Sequence, residues 1–277
     1  MKGLTEILAK LNTATTSDFS PKAWEQYKVD DWNKTPGNRN EEDGYDCKIC
    51  KNKGTIAKLV EEDGKYFRVF EDCKCVETRN SIMRMKRSGL KDIIKDYTFD
   101  KFQATEKWQQ TIKNAAMDYA KDQTGWFALC GQSGAGKTHL CTAICRELLL
   151  AGKRVRYMLW RDDVVKIKGA VTDSDEYGRM IDQFKTADVL YIDDLFKTGK
   201  DNNGQKITSA DINVAFEIIN YRYNNPNLLT IISSELTEDE LLDIDEAIGG
   251  RIYERAKTFT IGKDRSRNYR IKGAVTI

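Results

Sequence analysis

Residues 131–138, Gly131-Gln132-Ser133-Gly134-Ala135-Gly136-Lys137-Thr138, bring three glycines, two hydroxyls and one lysine together in eight positions. They satisfy the pattern G-x-x-x-x-G-K-[ST]. Glycine suits a loop whose consecutive backbone N–H groups must wrap a phosphate, because several positions need conformations that a Cβ disfavours. A helix opening at the loop adds its N-terminal N–H groups and its dipole, which also favour an anion. Lys137 supplies a point charge toward the β- and γ-phosphates, and the Thr138 hydroxyl can ligate Mg²⁺. The flanks fit. The apolar run Trp126–Cys130 precedes the loop, and His139–Leu149 reads as a helix. The eight residues are therefore expected to hold a nucleoside triphosphate.

A phosphate loop needs acids beside it. Val189-Leu190-Tyr191-Ile192 is an apolar strand that ends in Asp193-Asp194. This places two carboxylates at the carboxyl edge of a sheet. Asp193 is expected to hold Mg²⁺ through water, and Asp194 to orient or activate the attacking water. A further strand, Leu228–Ile232, ends in Ser233-Ser234-Glu235, polar groups able to sense a terminal phosphate. Arg251 and Arg255, at i and i+4, share one helix face. Their guanidinium groups suit stabilisation of phosphoryl transfer in a neighbouring subunit, or else a surface pair with Glu254 or nearby acids.

A second chemistry lies nearer the N-terminus. Cys47-Lys48-Ile49-Cys50 and Cys73-Lys74-Cys75 flank two apolar-rich runs, 55–60 and 65–70, joined through Asp63-Gly64. Asp-Gly between such runs signals a hairpin. A Cys pair, a hairpin and a second Cys pair have the layout of a zinc ribbon, in which four thiolates hold Zn²⁺ tetrahedrally. Gly54 lets the chain turn back after the first pair. The second pair is tighter than the usual C-x-x-C. Cys130, Cys141 and Cys145 fall in apolar runs and are expected as small core residues.

These residues need elements to position them. The chain has 277 residues, 40% of them hydrophobic and 32% charged, with a net charge of +2. That is enough for one large core or two smaller ones. No run approaches 18 apolar residues, so no membrane-spanning helix is expected. The N-terminal apolar patch contains Glu6 and lacks a small-residue cleavage site, so a cytosolic protein is expected. Residues 1–44 form a polar segment with a weak helical pattern at Leu4, Ile7, Leu8 and Leu11, residues 45–78 the zinc-ribbon module, and residues 79–104 a basic linker, helical up to Ser88-Gly89. In residues 105–277, apolar strands at 126–130, 155–159, 188–192 and 228–232 alternate with helices, which predicts a parallel α/β sheet. Basic residues cluster at Arg79, Arg84, Lys86, Arg87, Lys91 and Lys95, and again at Lys263, Arg265, Arg267, Arg270 and Lys272. Either cluster could touch nucleic acid or form a solvated face.

The set of motifs resembles the AAA+ helicase loaders of the DnaC/DnaI type, including phage versions, and the related IstB transposition ATPases. The resemblance covers about residues 45–277. It rests on the Cys-hairpin-Cys module, "SGL" at 88–90, "YTFDKF" at 97–102, "GQSGAGKTHL", "VLYIDDL", "INYRYNN" at 219–225, "TIISSELT" and "GGRIYERA". It implies ATP on the loop, Mg²⁺ and hydrolysis at Asp193 and Asp194, and an arginine finger with its companion at Arg251 and Arg255. Ser233–Glu235 is then the sensor region, where Glu235 departs from the Asn of many members. Only 22 residues follow Arg255, too few for a full lid with a second sensor arginine, as in the loaders. The segment holding Val164–Lys168 and Tyr177–Phe184 would line a single-strand DNA channel, with Lys166, Lys168 and Arg179 as candidates by position.

The implied function is ATP-dependent loading of a hexameric replicative helicase onto single-stranded DNA during replication initiation. Zn²⁺ would sit in the N-terminal module that holds the helicase, and the ATPase domain would self-associate when ATP is bound. An IstB-like transposition helper shares the ATPase motifs but fits the zinc module less well. A zinc-containing nucleic-acid-binding adaptor with a structural nucleotide site is a further alternative, separated by ATP turnover. A small-molecule P-loop kinase would leave the zinc module unexplained.

Overall fold

Asp63 and Gly64 both adopt positive φ, 51° and 72°, and close a two-residue hairpin turn. The computed structural model describes residues 20–86, 93–197 and 207–271. The expected helix at Leu4, Ile7, Leu8 and Leu11, the "SGL" segment with its Ser88-Gly89 helix end, and Arg87, Lys91 and Lys272 lie outside these residues. The chain divides into two units at Arg79/Asn80.

In the first unit, α1 (Pro21–Lys34) starts at Ser20, whose hydroxyl accepts the Ala23 N–H, with proline in the first turn. A short α2 (Arg39–Asp43) ends at Gly44 in the left-handed region. Strands β1 (Thr55–Glu62) and β2 (Lys65–Asp72) pair antiparallel in the register set by the turn. Helix α1 covers one face of this hairpin. Trp32 meets Phe70 edge-on at 4.8 Å, and the Asn33 side chain exchanges two hydrogen bonds with the Ala57 backbone, at 2.9 and 3.0 Å. Helix α3 (Cys75–Met85) follows.

The second unit takes in α3 from Asn80 onward and continues with α4 (Ile93–Asp96) and α5 (Lys107–Asp122). It continues through β3 (Trp126–Gly131), α6 (Lys137–Leu150), β4 (Val155–Leu159), α7 (Trp160–Gly169), α8 (Ser174–Lys185) and β5 (Val189–Asp193). Then come α9 (Ser209–Tyr223), β6 (Leu229–Ser233), α10 (Glu238–Ile244), α11 (Glu246–Arg255) and β7 (Ala256–Ile261). The five strands form one parallel sheet in the order β4-β5-β6-β3-β7. Every residue of β3, β5 and β6 is buried, as expected of parallel strands covered on both faces. The four strands read from the sequence are present within one residue of their expected bounds. Strand β7 is additional. It is a partly exposed edge strand in which threonines interrupt the apolar residues, so it lacks the continuous apolar run that marks the others. Cys130, Cys141 and Cys145 lie wholly inside the core.

Arg222, on α9, is fully buried. Its guanidinium donates to the carbonyls of Phe184, Lys185, Ala187 and Leu229 and to Thr230 Oγ1, so it ties the end of α8 to the start of β6. Satisfying its donors this fully is what makes a buried guanidinium tolerable. Among the described residues no helix is long and apolar enough to cross a membrane.

Candidate functional site

Strand β3 delivers the loop 131–138 at the carboxyl end of the sheet, and α6 starts at its last residues. The loop is anchored on both sides. Gly131 N–H donates to Leu236 O and Gln132 N–H to Ile261 O, both at 2.9 Å. Gly131 has φ 92°, and a Cβ there would meet the Ile261 carbonyl oxygen at 2.1 Å. Lys137 is buried, and its Nζ donates to the Gly131 and Gln132 carbonyls at 2.8 Å each. Burial holds its pKa below the usual lysine range.

Strands β5 and β6 end beside the loop. Asp193 is buried and accepts four hydroxyls: Thr138 Oγ1 at 3.2 Å, Tyr191 at 2.6 Å and Ser233 at 2.5 Å on Oδ1, and Tyr157 at 3.0 Å on Oδ2. A Thr138 hydroxyl that gives its hydrogen to Asp193 keeps its lone pairs for a cation, so the pair fits Mg²⁺. Asp194 sits at φ 57°, and its N–H donates to Ser233 Oγ at 3.0 Å. A non-glycine residue in this region is uncommon, and such positions collect at functional sites. Burial raises the Asp194 pKa against the pull of Lys197, whose Nζ lies 2.8 Å from its Oδ2. Glu235 Oε1 accepts both Ser133 Oγ at 2.6 Å and Lys197 Nζ at 3.0 Å. Burial would raise the Glu235 pKa, but these two donors hold it below the usual range. Lys197, Tyr157 and Tyr191 were not legible as site residues. A lysine four positions after a strand end, or a tyrosine within a strand, carries no spacing signal of its own.

The same region opens into a cleft of about 280 Å³. One end is charged, with Lys137, Thr138, Asp194, Lys197 and Glu235. The other is aromatic. Tyr97 stacks on His139 at 4.4 Å, and Phe102 stands edge-on to both His139 and Tyr269. His139 bonds the Thr98 carbonyl at 2.8 Å. Tyr97, Lys101, Phe102 and Gln103, assigned to the linker in the sequence, thus line the cleft. So do Tyr269 and Arg270 of the basic C-terminal stretch, where the Tyr269 N–H donates to Gly134 O at 3.0 Å.

The two arginines lie elsewhere on this unit, and the cleft's described lining includes neither. On α11, Arg251 stacks over Phe216 and Tyr223 and donates to Asn220 Oδ1 at 3.1 Å. Arg255 stacks over Tyr223 at 4.9 Å and donates to its carbonyl, while its buried Nε has no hydrogen-bond partner among the described residues. Glu254 instead accepts the Tyr223 hydroxyl at 2.7 Å. Of the candidates for DNA contact, Lys168 is paired with Asp211 at 2.6 Å and Lys166 with Asp163 at 3.2 Å, and Arg179 donates to the Asp175 carbonyl.

In the first unit Cys47, Cys50, Cys73 and Cys75 converge. All four are buried and unbridged, and their sulfurs lie within 4.8 Å of one another, with Cys47–Cys73 at 3.8 Å and Cys50–Cys75 at 3.5 Å. A tetrahedral site with Zn–S bonds of about 2.3 Å spaces its sulfurs by about 3.8 Å, so the donor set fits zinc. The Gly54 N–H points at Cys50 Sγ at 3.3 Å, and Gly54 has φ 85°. Asn52 orders the first knuckle through Cys47 N–H at 2.8 Å. Arg79, counted among the basic residues of the linker, is internal. It is 4% exposed, paired with Asp43 at 2.5 Å and bonded to Asn52 at 2.8 Å, so it does not present its charge to nucleic acid.

A family model described as IstB-like ATP binding protein matches residues 68–270. The phage-like element PBSX protein XkdC of Bacillus subtilis is 32% identical over 243 residues, covering 83% of this chain and 87% of the relative. The replicative helicase loader DnaC of Escherichia coli is 28% identical over 128 residues, covering 43% of this chain and 52% of the relative. A crystal structure of the DnaC helicase loader superposes with a TM-score of 0.53 at 19% identity, over 61% of this chain and 98% of that one. The likeness shows a shared fold, and the five-stranded parallel α/β sheet of the second unit is consistent with a P-loop AAA+ domain.

Proposed function

The chain belongs to the IstB-like ATP-binding protein family, and from that premise we propose that it is a slow AAA+ ATPase that loads a replicative helicase onto single-stranded DNA. The observation that carries the reading is the meeting of Lys137, Thr138, Asp193 and Asp194 at one end of the parallel sheet. In this reading residues 131–138 wrap the phosphates, and the aromatic end of the cleft seats the base. Thr138 and Asp193 would hold Mg²⁺, which would supply positive charge to offset the phosphates. Lys137 leaves its two loop carbonyls for phosphate oxygens. Asp194, whose raised pKa makes it a better base than a free carboxylate, orients the attacking water. Arg251 and Arg255 serve the site of a neighbouring copy.

The helicase-loading part of the proposal is supported by the DnaC relative and by the four-cysteine unit, most of which lies outside the segment matched by the family. That unit would hold zinc and dock the helicase, and ATP would act as a switch. The family match also favours a second reading, a transposition helper on double-stranded DNA.

Two measurements test these claims. Lys137→Ala should weaken ATP binding by about tenfold or more, because the charge facing the phosphates is gone. Unchanged affinity sinks the nucleotide site. Affinity capture from the source cell, read by mass spectrometry, should recover a hexameric helicase. Recovery of a transposase instead selects the second reading.

A further inference from the structure

Around the phosphate loop the chain gathers negative charge, which opposes the approach of an anion. Asp193, Asp194 and Glu235 all stand there, and Glu235 reaches the loop itself through Ser133 Oγ at 2.6 Å. Lys137 acts on Asp194 and Glu235 only through space, since its Nζ donates to the carbonyls of Gly131 and Gln132. One other cation bridges the acids. Lys197 Nζ lies 2.8 Å from Asp194 Oδ2 and 3.0 Å from Glu235 Oε1. The turn after β5 puts it there. Asp194 and Phe196 both take positive φ, 57° and 61°, and Lys197 N–H closes the turn on Asp194 O at 2.9 Å. The Lys197 side chain is about one-third exposed and lines the same cleft as Lys137 and Thr138.

We propose that Lys197 is the counter-ion of Glu235 and Asp194 that lets this acid-lined site accept a triphosphate, and so sets its preference for ATP over ADP. The proposal rests on the nucleotide reading above. A carboxylate beside an incoming phosphate is repelled as any like charge is, and a cation shared between them reverses the sign of that interaction. The terminal phosphate is the group that approaches the ends of β5 and β6, so a diphosphate is affected less. Lys197 is then a positioning and charge-balancing residue in a site where the end of β6 leads into an acid, Glu235.

The test is a binding cycle on the full chain with Mg²⁺, using ADP and a non-hydrolysable ATP analogue. Lys197→Met keeps the length of the side chain and removes its charge. It should bind ADP within about twofold of the parent and lose about tenfold or more for the ATP analogue. The double variant Lys197→Met/Glu235→Gln should recover part of that loss, because one of the two carboxylates left uncompensated has gone. Lys197→Arg should keep the preference, and thermal melting without nucleotide checks that each variant folds. Equal weakening for both nucleotides, no weakening, or a double variant no better than Lys197→Met overturns the counter-ion role. If the parent protein binds neither nucleotide, or binds them regardless of Lys137→Ala, the nucleotide reading itself fails. If ADP binding stays intact and Lys137-dependent while the ATP preference is unmoved, only the role of Lys197 fails.

Discussion

Asp193 and Asp194 are neighbours with opposite surroundings. Four hydroxyls converge on Asp193, which fixes its carboxylate and suits it to a fixed cation. Asp194 has one ion pair, a raised pKa and a left-handed backbone that turns it away from the strand into the cleft. The two should therefore separate in function. Asp194→Asn should leave ATP affinity within a few-fold of the parent while turnover falls about 100-fold or more, measured by titration and by phosphate release. If binding is lost instead, the two acids have been assigned the wrong way round. At this scale the sequence was informative wherever spacing carries chemistry, as in residues 131–138 and the acid pair. It was silent on Tyr157, Tyr191 and Lys197, because their roles come from strands and turns meeting in space. Gly131 reads in the sequence as part of a phosphate cradle. In the fold the same glycine is required by the carbonyl of Ile261, which leaves no room for a Cβ.

Among the elements, the hairpin and its two knuckles form a unit whose apolar interior consists largely of the four cysteines with Tyr45 and Ile56 packed against them. So small a core supplies little stability, and a structural metal is the usual remedy. The protein should carry one equivalent of zinc, lost in Cys47→Ser. Chelation should unfold residues 45–76 while the second unit keeps its own melting transition, since structural zinc can supply roughly 10 kcal/mol or more of folding energy. Arg79 sharpens this. With Asp43 left unpaired and buried, Arg79→Met should destabilise the unit by about 3–5 kcal/mol and speed release of zinc to a colorimetric chelator. Release at the parent rate would assign the pair no part in holding the site. The Cys spacing and the Asp63-Gly64 turn were legible in the sequence. The burial of Arg79 was not, because an arginine in a basic run looks the same whether it faces water or Asp43. Strand β7 escaped for a related reason, as an edge strand without the run of apolar residues that reveals its neighbours.

Across the whole molecule, the proposed finger residues stand outside the cleft of their own chain, stacked on aromatic rings of α9. If they act on a neighbour, Arg251→Ala or Arg255→Ala should bind ATP almost normally and hydrolyse it slowly. Mixing either variant with Lys137→Ala should restore part of the turnover, because one chain brings the pocket and the other the arginines. A mixture as inactive as its parts, although light scattering shows co-assembly, returns both residues to an intrachain role. The α/β class and four strands were readable from alternating apolar runs. The distance of the arginines from their own site was not, since it depends on where β7 joins the sheet. That strand has a mechanical consequence. Helix α11, which carries both arginines, ends at Arg255, and β7 begins at Ala256 with no residue between them. At its far end Ile261 is bonded to Gln132 and packed on Gly131. A paired strand of six residues, about 20 Å long, is stiff along its axis, so it behaves as a pushrod between the phosphate loop and the arginine helix. If nucleotide fills the pocket and the arginines engage a neighbour, the two events are linked through the rod, and each changes the other by the same free energy.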